Sequence, residues 1–187
     1  MANSHSPSFK QRGSSLLEVL IAMLVMAIGM LGMAGLTAAS NSYNKLAQIR
    51  STSLMLVSDY ADRARANITG FTAGNYKKES TYEYSKTQLS TSGCTDASTT
   101  AGRCTASEMA TLDLTQWRNL LRRSLPGGDA YVLTSANATT GQNNMDIWVM
   151  WTELGQASGF DLSGNTQCPT AATSDTAVKC MYFRIAL

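Results

Sequence analysis

Between Leu16 and Leu36 apolar residues follow one another without a proline, and Glu18 is the single charge among them. At about 1.5 Å per helical residue this run matches the ~30 Å hydrocarbon core of a bilayer. Further along the pattern becomes one-sided: Leu46, Ile49, Leu56, Val57, Tyr60, Ala61 and Ala64 recur at intervals of three and four, while Lys45, Arg50, Asp59, Asp62, Arg63 and Arg65 fall mostly elsewhere. One helix is therefore expected over residues 14–67, with a transmembrane segment at 16–36 and an amphipathic second half. Gly29, Gly32 and Gly35 punctuate the apolar half, suited either to local unwinding or to close helix packing.

Polar residues then dominate from Ile68 to Arg103, so residues 68–104 are expected to form a long surface connection, with Lys77-Lys78-Glu79 as a solvated stretch. Thr105-Ala106-Ser107-Glu108 has the spacing of a capping box, and Met109, Leu112, Trp117, Leu120 and Leu121 give the following residues a helical apolar face. A helix over 105–125 follows, stopped by Pro126-Gly127-Gly128, with Arg118, Arg122 and Arg123 on its solvated side. Period-two alternation predicts strands at Ala130 to Thr134, Met145 to Glu153 and Val178 to Leu187 within a sheet and loop region at 130–187. The fold class expected is α+β: a long amino-terminal helix packed on an antiparallel sheet, with a second, shorter helix.

Composition narrows the functional classes. The chain holds 15 Lys and Arg against 13 Asp and Glu, and Lys10 and Arg12 precede the apolar run, so the remainder is balanced in charge. A balanced surface argues against nucleic acid as a partner, which needs clustered cations. Basic residues ahead of the run also favour a cytoplasmic amino terminus and an exported carboxyl-terminal domain. Cys94, Cys104, Cys168 and Cys180 all lie in that domain, as expected of disulfides in an oxidising compartment. Four cysteines allow three connectivities, and the short spacings favour Cys94–Cys104 and Cys168–Cys180. The only histidine, His5, precedes the apolar run, which leaves neither a Cys/His zinc site nor a histidine-dependent nucleophile in the domain. No cofactor and no catalysis are expected.

Ahead of the apolar run stands Gly13-Ser14-Ser15-Leu16-Leu17-Glu18, behind a short polar leader. This arrangement resembles the class III signal of the type IV pilin superfamily. The resemblance implies that residues 1–13 are a leader, that prepilin peptidase cuts between Gly13 and Ser14 and methylates Ser14, and that Glu18 sets register by pairing with a neighbouring subunit's amino terminus. Family members usually begin with Phe or Met, and Ser14 departs from that. A periplasmic or extracellular globular pilin domain at 68–187 is implied as well.

Later segments are similar to those of the PilV-like minor pilins: Asp59-Tyr60-Ala61-Asp62-Arg63-Ala64-Arg65-Ala66-Asn67, Asp113-Leu114-Thr115-Gln116-Trp117, Leu125-Pro126-Gly127-Gly128 and Asp146-Ile147-Trp148-Val149-Met150-Trp151. That similarity implies an inner-membrane subunit that later joins a pilus fibre at the cell surface, with the major pilin, other minor pilins and a tip adhesin as partners. A minor pseudopilin of type II secretion shares the leader and first helix and is the alternative; a membrane-anchored periplasmic enzyme is a more distant one.

Overall fold

The computed structural model describes residues 16–84, 87–91, 94, 104–137, 141–152 and 168–187. Helix α1 spans Leu16–Ala66 and is unbroken through Gly29, Gly32 and Gly35. The chain divides into two units, residues 1–44 and 45–187. Within the first, the described residues are helical and almost wholly exposed.

The second unit contains the amphipathic part of α1. Its buried residues are Ile49, Ser53, Leu56, Val57, Tyr60, Ala61 and Ala64, which repeat at three and four and so share one face. Ser53 is tolerated there because its hydroxyl donates to Ile49 O at 2.8 Å. A short helix α2, Ile68–Thr72, starts at Asn67, whose side chain accepts from Gly70 N–H. Helix α3, Ala106–Ser124, begins at Thr105 with both halves of the capping box present. Gly127, at φ +63°, turns the chain out of it, and a Cβ on Gly128 would collide with the Leu121 carbonyl.

Strands β1 (Asp129–Ala136), β2 (Asn143–Thr152) and β3 (Val178–Ala186) form one antiparallel sheet in the order β1-β2-β3. Each overlaps its sequence-based expectation, displaced by a residue or two at its ends; Glu153 lies outside the described residues. Met145, Ile147, Val149 and Trp151 of β2 join the α1 face, Trp117 and Leu121 in one core. Burying such large side chains contributes roughly 1.5–3 kcal/mol each. Met150 departs from the simple alternation. Its side of the sheet is also covered, by Ala172, Val178 and Cys180 with Tyr131, so it is fully buried.

Residues 68–104 are more than a surface connection. Phe71 and Tyr76 are core residues, and Lys78 exchanges two backbone hydrogen bonds with Val132, each 2.9 Å. Lys77 and Glu79 are solvated as expected, but Lys78 is buried and ion-paired, which corrects that part of the reading. Arg118 is likewise turned inward, with 14% of its side chain exposed beside Asp129 and Glu83.

The cysteines pair as Cys94–Cys104 and Cys168–Cys180. The second bond ties the chain around Ala172 to β3 and so holds the cover on the outer face of the sheet. Closing a loop of this length contributes about 2.8 kcal/mol in the chain-entropy account. Replacing Cys168 and Cys180 with serine is expected to lower stability by about that amount, read as a shifted denaturant midpoint. An unchanged midpoint would show that the outer-face cluster holds without the bond.

Candidate functional site

Two regions gather the residues singled out by the sequence. The first is the apolar half of α1. Here the hydrophobic side chains are exposed: Leu16 is 89% and Leu36 74% exposed, and the whole 18-residue window that is apolar enough to cross a membrane is unburied. Among the described residues this is the single helix of that kind. An isolated water-exposed helix of such composition is untenable, because contiguous apolar surface of this extent demands lipid or other protein. Glu18 sits in the first turn, where its carboxylate favours the positive end of the helix dipole. Gly13 and Ser14 lie outside the described residues. A Cβ at Gly29, Gly32 or Gly35 would meet nothing within 4 Å, so these glycines leave open, close-approach positions on the helix.

The second region joins Asp59–Asn67 to Asp113–Trp117. Arg63 sits between them: Nε donates to Asp59 at 3.0 Å, and Nη1 donates to Asp113 at 3.3 Å and to Gln116 at 2.9 Å. Trp117 stacks on Tyr60 with ring centroids 4.0 Å apart and planes 12° apart, while its indole N–H donates to Leu56 O at 2.8 Å. Asn67 reaches across to Ala106 O at 2.7 Å. Tyr82 closes the Leu125–Gly128 turn by donating to Gly127 O at 2.8 Å. These segments therefore serve as clamps that fix α1, α3 and the sheet, and they form no reactive constellation.

Sequence reasoning missed the tyrosine and lysine partners in this interior. Tyr60 donates to Tyr76 O at 2.8 Å, and Tyr76 donates to Asp113 at 2.6 Å. Burial pushes both phenols above their ordinary range, seconded by the neighbouring Tyr76 for Tyr60 and by the hydrogen bond to Asp113 for Tyr76. Lys78 meets Asp129 at 3.2 Å, and burial lowers its pKa in spite of that carboxylate. Asp129 at the head of an apolar strand was the one available signal. Among the described residues no group of three or more His, Cys, Asp or Glu could hold a metal ion.

The raised phenols have a pH consequence. A group whose folded pKa is raised stabilises the fold fully below its unfolded value, here 10.0, and loses that contribution as pH climbs through the folded value. Stability is thus expected to fall on the alkaline side of pH 10. Lys78, with a lowered pKa, acts in the opposite sense, so the diagnostic quantity is the difference between wild type and Tyr60→Phe. Thermal denaturation against pH should show a shallower alkaline loss in the variant; parallel curves would mean that Tyr60 ionises freely.

The prokaryotic N-terminal methylation motif matches residues 8–34, and the family model described as type IV pilin Tt1218 matches residues 34–115. No curated protein and no solved structure gives a significant match. The two family matches meet at residue 34 and together run from residue 8 through α1 into α3. The methylation motif implies processing by prepilin peptidase and association with other pilins, and with the exposed apolar helix it fits membrane anchoring before assembly. An unburied apolar helix within the match to that motif, continuous with an amphipathic stretch packed on an antiparallel sheet, places the chain in the type IV pilin superfamily.

Proposed function

We propose that the chain is a minor pilin of a type IV pilus, of the PilV-like kind, acting within a tip complex that starts fibre assembly. Prepilin peptidase would cut between Gly13 and Ser14 and methylate Ser14; the subunit would wait in the inner membrane by residues 16–36 and then move into the fibre. The observation that carries this reading is the fully unburied apolar half of α1, nearly all of it within the match to the methylation motif. Such a helix has two stable hosts, the bilayer and a bundle of like helices, and transfer between them is what assembly requires. Glu18 would make the transfer selective, because a carboxylate in a low-dielectric bundle is tolerated only with a cationic partner such as a subunit amino terminus. Major pilin, other minor pilins and a tip adhesin are the proposed neighbours. The clamped α1–α3–sheet unit supports a structural role, since Arg63, Tyr60, Tyr76, Asp113, Lys78 and Asp129 are engaged with one another or with the backbone.

Mass spectrometry of sheared surface filaments from the native host tests the proposal. A methylated peptide starting at Ser14 in the filament fraction is the expected result. Processed protein that stays in the envelope while pili are sheared away would favour a type II secretion pseudopilin, and an uncleaved Met1 form would leave only a membrane-anchored domain.

A further inference from the structure

Backbone polarity alternates along β3. Leu187 N donates to Asn143 O at 2.9 Å, and with the β2–β3 register this turns the N–H and C=O of the odd-numbered residues toward β2. Even-numbered residues therefore turn theirs to the outer edge of the sheet. Both ends of that edge are tied within the chain: Val178 N donates to Asp175 O at 3.2 Å, and Arg65 Nη2 donates to Ala186 O at 3.1 Å. Between them, the outward N–H and C=O of Tyr182 and Arg184 and the N–H of Ala186 have no hydrogen-bond partner among the described residues, and all three residues are exposed. The opposite edge differs, since Lys78 pairs with Val132 there. Two of the devices that blunt an edge are also missing from β3, which contains no proline and keeps its register from Asn144↔Ala186 to Thr152↔Val178 without a bulge; charge is the one it retains, in Lys179 and Arg184.

Side chains at this edge indicate what would sit on it. Tyr131, Trp148 and Tyr182 lie directly opposite one another across the three strands, with ring centroids 5.8 and 4.9 Å apart, so an aromatic row ends at the open edge. Arg184 shares that face with 63% of its side chain exposed and only a long 3.7 Å contact from Nε to Asp146, while Arg65, 47% exposed and paired with Asp62 at 2.7 Å, stands at its end. A second copy pairing antiparallel about Phe183 would set Arg184 diagonally across the seam from its own counterpart, with like charges meeting on one face. An acidic strand avoids that repulsion.

We propose that the β3 edge from Tyr182 to Ala186 is a docking site for an extended, acidic strand of another protein. That strand pairs backbone to backbone with the outward groups, places a carboxylate beside Arg184, and extends the aromatic row beside Tyr182. The site does not depend on which assembly the subunit joins.

Arg184→Pro isolates the edge, because the N–H it removes faces outward and the hydrogen bonds to β2 stay intact. The full-length chain in detergent micelles would be titrated with a fluorescent peptide, Thr-Val-Glu-Val-Tyr-Val-Thr, whose acid and aromatic ring share one strand face, with its Glu-to-Lys counterpart, and with a version N-methylated at alternate amides. The acidic peptide is expected to bind best and the N-methylated one not at all. Arg184→Pro should abolish binding with thermal unfolding near wild type. Arg184→Glu, which leaves the backbone alone, should shift the preference toward the lysine peptide by about tenfold. Equal binding of both peptides, unchanged preference in Arg184→Glu, or no binding up to about 1 mM would overturn the proposal. So would concentration-dependent dimerisation that Arg184→Pro removes, which would assign the edge to a second copy.

Discussion

Glu18→Ala is expected to leave cleavage between Gly13 and Ser14 intact and to lower the amount of the chain in sheared filaments by more than tenfold. The physical basis is the environment that the assembled helix would enter. Breaking a buried charge pair by removing one partner costs about 3–5 kcal/mol, and 1.4 kcal/mol already corresponds to tenfold in an equilibrium. In the variant, the unpaired charge is the neighbouring subunit's amino terminus. Glu18→Gln should behave like Glu18→Ala, because a neutral amide cannot answer a cation, whereas Glu18→Asp should retain part of the effect. Quantitative peptide counting in filament and envelope fractions separates processing from incorporation. Normal filament levels of Glu18→Ala would remove the register role while leaving membrane anchoring by the apolar run untouched.

What was legible in the sequence follows from the range of the forces involved. The apolar run 16–36, the three-and-four repeat through Ala64 and the capping box at Thr105 are local patterns; α1 stops, and α3 starts and stops, within a residue or two of where these place them. Strand alternation is equally local, so β2 and β3 were readable; Met150 was not, because its burial depends on a distant segment crossing the outer face. The polar stretch after Asn67 misled for the same reason. Lys78 looks solvated beside Lys77 and Glu79, and only a carboxylate far away in sequence makes its burial tolerable. Arg63 was visible as one charge at the end of a helix, whereas its role between Asp59, Asp113 and Gln116 required both helices in place. At the amino terminus the situation reverses: Gly13 and Ser14 lie outside the described residues, so their assignment rests on motif spacing.

Asp129→Ala is expected to be the most damaging single change in the second unit, costing about 3–5 kcal/mol of stability. Asp129 is wholly buried and is the anion for two inward cations, Lys78 at 3.2 Å and Arg118 at 3.4 Å, while also accepting from Glu83 N–H at 3.0 Å. Its removal leaves an ammonium whose side chain is 4% exposed without a counter-charge. Lys78→Met should cost less, since Asp129 keeps Arg118 and the Glu83 amide. The double variant Lys78→Met, Asp129→Ala should be more stable than Asp129→Ala alone, because the stranded cation goes with its partner. Chemical denaturation of the four proteins supplies the cycle. If the two changes simply added, Lys78 would have to be hydrated in the folded protein, and the anchoring of the Tyr76–Tyr84 segment onto β1 would rest on the Lys78–Val132 backbone bridge alone.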